Sequence, residues 1–322
     1  MNRAASVARA LALAALLPVL AAAAYPNLVD GSRPAGTTAA STGTQVAFTP
    51  GQLSGGPKPP FTLGAVTKDL AAFDKAVHRR ASLRMMFLRW NTPIFPAGTV
   101  LRNASYRAKT VIELQPRGLT MQQISAGKGD GWLTSVFAPG VATTGKGITL
   151  SFAPEMNGQW YAYGFGRTKP ADYVSAWRHV HDLLSGTTAG SLITWLWQPS
   201  AIHFSTPSPR PWWPGSKYVN EIGLDGYYVL PIDSFQVIFG QTIKLLRKLT
   251  AMPILVGETA IGATTGRAAG DVKDLFAGIR RYHLRGLVWF NISQHAGKYH
   301  QDWRLQDHPR VLRAFIAELA RA

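Results

Sequence analysis

From Phe61 onward, short apolar runs alternate with segments whose apolar residues recur every three or four positions. The runs are FTLGAVT (61–67), LRMMFLRW (83–90), TVIELQP (110–116), GITLSFAP (147–154), LITWLWQP (192–199), IGLDGYYV (222–229), MPILVGET (252–259) and GLVWFNIS (286–293). Each is close to continuously apolar and is bounded by turn residues, the pattern of a strand buried on both faces. Between them, DLAAFDKAVHRR (69–80), ADYVSAWRHVHDLL (171–184), FGQTIKLLRKLT (239–250), DVKDLFAGIRRYH (271–283) and PRVLRAFIAEL (309–319) carry helical spacing. Glycines interrupt the pattern over 118–137, and Asn91 to Lys109 reads as an irregular connection. Eight strands alternating with helices over roughly 260 residues predict a (β/α)8 TIM barrel. A doubly wound open sheet is the alternative. Its first strand usually runs into a Gly-rich phosphate turn, whereas here Thr67-Lys68-Asp69 follows.

Ahead of the barrel, Arg3 and Arg9 give a positive start, and an apolar run from Ala10 to Ala24 ends in small residues. That is the pattern of a secretory signal peptide cleaved near Ala24. The run is shorter than the ~18–20 apolar residues of a membrane span, and no later stretch is long enough for one. Residues 25–59 are rich in Gly, Ser, Thr, Ala and Pro without periodicity, which predicts a flexible tail. The expected organisation is therefore a signal peptide (1–24), a tail (25–59) and one barrel domain (60–322), in a secreted, monomeric protein.

Composition narrows the chemistry. The chain has no cysteine, so disulfides and Cys-based metal sites are excluded. Its net charge of +17 favours acidic surroundings such as cell-wall polymers or acidic polysaccharides. The basic residues are scattered, and no nucleic-acid motif appears. No HExxH or EF-hand spacing is present, so neither a catalytic metal nor a cofactor is expected. His179 and His181, two apart on a helix, do not chelate, and His295 and His300 read as loop residues. Ser151 lacks a GxSxG frame, which excludes a serine hydrolase of that type.

Three of the five glutamates end apolar runs: Glu113 the third, Glu155 the fourth and Glu258 the seventh. In a barrel, catalytic residues project from the C-terminal strand ends. Strands 4 and 7 face each other across the mouth, so Glu155 and Glu258 can converge on one bond. Retaining glycosidases use two carboxyls ~5–5.5 Å apart, one as acid/base and one as nucleophile. The bland alternative is a structural ion pair beneath the loops, which is easier to accept for either glutamate alone than for both. Glu113 reads as a hydrogen-bond partner or a strand-end polar group.

With these motifs in order, the chain resembles glycoside hydrolase family 26, a family of retaining β-glycanases, over about Thr62 to Leu305. EMNGQWYAYG (155–164), ITWLWQPS (193–200), WWPGSKYVNEIGLDGYY (212–228), PILVGETA (253–260), LVWFN (287–291) and DWRL (302–305) carry the likeness. The resemblance implies that Glu155 is the acid/base and Glu258 the nucleophile. It also implies that Tyr227 bonds Glu258 and that Trp289 forms a sugar platform. Aromatic rings stack on sugar C–H faces, which adds Trp160, Tyr161, Trp197, Trp212 and Trp213 as candidate substrate contacts. Asn157 and Gln198 are candidate partners of sugar hydroxyls, although Asn157 can equally cap its loop. Trp195 and Phe290 read as barrel wall, and Asp225 and Asp302 as supports for strand ends. One residue departs from the family pattern: mannanases usually carry His before the acid/base, and here it is Pro154. Without that donor, other β-glycans enter as substrates: mixed-linkage glucan, xylan or a bacterial exopolysaccharide. A non-catalytic glycan-binding protein on a degenerate barrel is the competing reading.

Overall fold

The computed structural model describes residues 60–203, 206–294 and 301–322. The expected signal segment (1–24) and tail (25–59) lie outside the described residues, as do His295 and His300. Eight parallel strands close into a barrel in chain order: β1 (Thr62–Val66), β2 (Leu83–Arg89), β3 (Lys109–Gln115), β4 (Ile148–Phe152), β5 (Ile193–Trp197), β6 (Glu221–Asp225), β7 (Ile254–Thr259) and β8 (Gly286–Phe290). Closure is direct, with β8 pairing β1 from Thr62↔Gly286 to Val66↔Phe290. This is the (β/α)8 barrel that the alternation predicts, and all eight runs are strands. Two runs stop early. β6 ends at Asp225 and β8 at Phe290, so Gly226–Val229 and Asn291–Ile292 lie beyond the barrel strands, and Ser293 enters a separate two-residue strand (Ser293–Gln294) paired with Gln301–Asp302.

The outer layer comprises α1 (Leu70–Val77), α2 (Ala97–Ser105), α3 (Met121–Ser125), α4 (Ala138–Thr144), α5 (Pro170–Ser185), α6 (Gln241–Leu249), α7 (Ala268–Arg281) and α8 (Pro309–Leu319). Local signals set several ends. The Asp69 side chain accepts from the Ala72 N–H and caps α1, and Thr120 and Gln123 form a reciprocal capping box on α3. Helix α5 starts on Pro170 and buries Tyr173, Ala176, Trp177, Val180 and Leu184, one stripe at helical spacing. Helix α2 lies in the stretch expected to be irregular. Its sequence, AGTVLRNAS, holds a glycine and two β-branched residues and buries only Val100 and Asn103, so its periodicity is faint. Among the described residues between β5 and β6 there is no α-helix, only the short 3-10 turns Arg210–Trp212 and Ser216–Tyr218. Among the described residues, no helix is long and apolar enough to cross a membrane.

One irregularity bears on the site. Leu224 is level with Val256, but Asp225 is level with Glu258. On the other side, Val256 is level with Leu287 and Thr259 with Trp289. Strand β7 thus has one more residue than either neighbour, a β-bulge at Gly257–Glu258. Bulges re-aim side chains and gather near active sites.

Candidate active site

The bulge aims Glu258. In a regular strand, successive side chains point to opposite faces. A Cβ on Gly257 would come 2.6 Å from Asp225 Oδ1 and 3.2 Å from the Gln198 amide, both in the barrel mouth. Yet the Glu258 carboxyl reaches the same place: one oxygen each of Glu113, Asp225 and Glu258 lie within 4.8 Å of one another. The extra residue turns Glu258 inward, and glycine at 257 leaves room for the groups it meets.

Glu155 arrives differently. It sits in a turn just beyond β4, in which Ala153 and Glu155 have φ of 46° and 53° on either side of Pro154. Left-handed conformations cost non-glycine residues about 1–3 kcal/mol each and cluster at functional sites. The turn is fastened to the end of β5 by the Glu155 N–H, which donates to the Gln198 carbonyl at 2.7 Å.

The two glutamates have different partners. Trp160 Nε1–H donates to Glu155 Oε2 at 2.8 Å, and the Tyr227 hydroxyl donates to Glu258 Oε2 at 2.6 Å. Both carboxyls are buried. Burial and then the Glu258 charge push Glu155 up to about 8, partly offset by the Trp160 donor. Burial raises Glu258 to about 7, partly offset by the Tyr227 donor. Two buried carboxyls, both raised and each with its own donor, form a coupled pair that can divide acid and nucleophile roles between them.

Beneath them lies a polar floor. The Gln198 amide nitrogen donates to Glu113 Oε1 at 2.6 Å and to both Asp225 oxygens at 3.0 Å. Gln198 therefore ties carboxyls together, where sugar contact was expected. Three oxygens this close resemble a cation site, but the amide nitrogen already donates to two of the three groups. Glu113 is bound into the site as a hydrogen-bond partner, and Asp225 supports the end of β6.

Trp160 and Tyr227 each hydrogen-bond one of the two glutamates, and Tyr161 follows Trp160 in the same loop. Tyr161 stacks on Tyr163 with centroids 4.8 Å apart, and its hydroxyl accepts from the Gln115 amide. Three other candidate sugar contacts lie elsewhere. Asn157 is fully buried; its amide donates to the Ser200 and Pro207 carbonyls while its oxygen accepts the Ser200 N–H, so it pins two loops together. Trp197 is fully buried, with Trp213 edge-on against it at 5.0 Å. Trp289 packs on Phe315 of α8 at 5.1 Å and donates to the Trp303 carbonyl. Alternation turns Trp289 outward and Phe290 inward, where its ring meets Tyr227 at 5.9 Å and Phe87 at 6.4 Å. Phe290, expected in the wall, borders the site. Val288, two residues before Phe290 and so on the same face of β8, is level with Gly64 of β1 and in contact with it. Trp289→Ala is accordingly expected to cost about 3–5 kcal/mol of folding stability, read by urea denaturation. A variant as stable as the parent would remove that ring from the core.

Comparison with known proteins gives the family. The sequence profile described as Glycosyl hydrolase family 26 matches residues 146–308, half of the chain. Endoglucanase H of Acetivibrio thermocellus is 24% identical over 264 residues, covering 76% of this chain and 28% of that protein. A mannan endo-1,4-beta-mannosidase of Bacillus subtilis is 26% identical over 166 residues, covering 48% of this chain and 42% of that protein. The chain thus spans less than half the length of either relative. In fold it is similar to a family 26 β-mannanase from Bacteroides ovatus, with a TM-score of 0.60 at 13% identity over 81% of this chain and 88% of that one. It is also similar to a Bacillus subtilis mannanase, with a TM-score of 0.57 at 16% identity over 80% and 83%. The matched region runs from just before β4 to beyond β8 and contains both Glu155 and Glu258, and this chain belongs to glycosyl hydrolase family 26.

Proposed function

We propose that the chain is a secreted retaining β-glycanase that hydrolyses a β-linked polysaccharide of the mannan or glucan type through Glu155 and Glu258. The observation that carries this reading is the unequal setting of the two buried carboxyls. Glu155 has one indole donor and the higher protonation range. Glu258 has a phenol donor that favours its ionised form. Glu155 then gives its proton to the glycosidic oxygen while Glu258 attacks the anomeric carbon. The leaving chain departs with the proton, and the sugar stays esterified to Glu258. In the second step Glu155, now a carboxylate, takes a proton from water, whose oxygen displaces Glu258. Charge and protonation return to where they began.

The relatives named endoglucanase and mannan endo-1,4-beta-mannosidase support this substrate range. Pro154 leaves the position before the acid without a side-chain donor, which favours assaying glucans beside mannans. The N-terminal sequence pattern supports export. The test is reducing-end release from β-mannan, mixed-linkage β-glucan, xylan and acidic exopolysaccharides, with the anomer of the first product read by NMR. Product of retained configuration is expected. Tight binding across the panel without release would favour the glycan-binding alternative.

The pH profile follows from the same two groups. Glu258 must be ionised, so activity rises as pH climbs through about 7. Glu155 must be protonated, so activity falls as pH passes about 8. A bell with its maximum between these values is expected for kcat/KM, its limbs belonging to the coupled pair. A profile flat across this range would contradict the assignment of roles.

A further inference from the structure

Glu113 is a buried carboxyl that the two-glutamate mechanism does not use. One of its oxygens accepts from the Gln198 amide at 2.6 Å, and one carboxyl oxygen each of Glu113, Asp225 and Glu258 lie within 4.8 Å of one another. Glu258 Oε2 has the Tyr227 hydroxyl, but Glu258 Oε1 is buried, and among the described residues no group donates to it when Glu113 and Asp225 are both ionised. A buried carboxylate oxygen without a donor is costly. A proton on Glu113 removes the problem, because Glu113 then becomes that donor. Asp225 is the less suitable holder, since both of its oxygens already accept from the Gln198 amide.

We propose that Glu113 is a positioning residue that carries a proton through the catalytic cycle and donates it as a hydrogen bond to the nucleophile Glu258. This deepens the hydrolase reading and rests on it for the role of Glu258. The bond fixes the Glu258 carboxylate from the side opposite Tyr227. It also separates two acids that could not both ionise at this distance. The groups acting on Glu113 are Glu258 from β7, Asp225 from β6 and Glu155 from the turn after β4. The phenols of Tyr161 and Tyr163 are beside it, and Arg117 acts on Tyr163. Burial and these carboxylates hold Glu113 well above the ordinary range.

Two measurements test this. The first needs no substrate. The chain has five glutamates, so protein labelled at the glutamate carboxyl carbon gives a spectrum that single Glu→Gln variants can assign. In a pH titration, the Glu113 resonance is expected to stay at its protonated position until after that of Glu258 has moved. Ionisation of Glu113 at or below the pH of Glu258 overturns the proposal.

The second is kinetic, and here the sign discriminates. Glu113→Ala removes a neutral donor, so Glu258 becomes harder to ionise and the acid limb moves to higher pH. The expected loss in kcat is about 10- to 100-fold, the range of a hydrogen bond to an ion. Glu113→Gln keeps the oxygen for Gln198 and supplies an N–H to Glu258, and it is expected to rescue most of that loss and return the acid limb toward the parent position. If Glu113 were an anion in the parent, both variants would remove a negative neighbour and move the limb to lower pH, which overturns the proposal. A parent that cleaves no glycan in the panel, with the titration order as expected, would defeat the hydrolase reading and leave the protonation assignment intact.

Discussion

Glu258→Ala is expected to lower kcat by at least about 10⁴-fold, the scale on which removal of a covalent nucleophile acts, while the variant still binds glycan. The loss falls on kcat because the residue's contribution is bond formation at the anomeric carbon. On the proposed reading, substrate would be held by rings and hydroxyls that the change leaves in place, chiefly those of Trp160, Tyr161 and Tyr227. The fold should tolerate it, since truncation relieves the crowding of three buried carboxyls whose oxygens lie within 4.8 Å of one another. The check is paired: kinetics on the glycan the parent cleaves best, and binding of the same glycan by calorimetry. A second measurement locates the bond itself. A 2-fluoro glycoside with a good leaving group forms the ester but hydrolyses it slowly, so mass spectrometry of the digested parent should find the sugar on the peptide containing Glu258. A label on Glu113, Asp225 or Glu155, or an alanine variant with substantial turnover, would remove Glu258 from this role.

How much of this is visible in the sequence depends on which physical rule sets each feature. The eight strands are legible because parallel barrel strands are buried on both faces and read as apolar runs. Helix α5 is legible because its buried stripe is long and its start is marked by Pro170. Helix α2 is not, because Gly98, Thr99 and Val100 weaken both propensity and periodicity. The positions of Glu155 and Glu258 at strand ends follow from the same runs, but the means of aiming them do not. Strict alternation from Leu255 would turn Glu258 away from the mouth. Only the pairing of β7 with both neighbours exposes the extra residue, and pairing is a tertiary property. Ring assignments fail for a related reason. Trp289 and Phe290 are adjacent and both suit a platform, and which one faces in depends on register with β1. Asn157 has the chemistry to bind a hydroxyl, but Ser200 and Pro207, more than forty positions away, occupy its amide. Polar side chains are the hardest to assign from sequence, because their role depends on which partner reaches them first.

Glu155→Ala is expected to produce a loss that depends on the leaving group, and this dependence is what separates an acid/base from any other buried glutamate. On a natural glycan, departure of a sugar alkoxide needs a proton, and removing its donor should cost about 10²–10⁴-fold in kcat/KM. On an aryl glycoside with an acidic phenol, the leaving oxygen needs no proton, so formation of the ester on Glu258 should proceed near the parent rate. Hydrolysis of that ester still requires a base for water. The variant should therefore release one equivalent of phenol in a burst and then turn over slowly. Azide attacks without losing a proton, so adding it should raise the slow rate and divert product to the glycosyl azide of retained configuration. The alkaline limb should vanish as well, since the group that loses its proton near pH 8 in the parent is gone. Trp160 remains and loses only its acceptor, so a stacking ring lost along with the carboxyl does not explain the pattern. Equal losses on both substrate types, with the alkaline limb in place, would make Glu155 a structural carboxyl. The proton donor would then have to be another group beside the scissile bond.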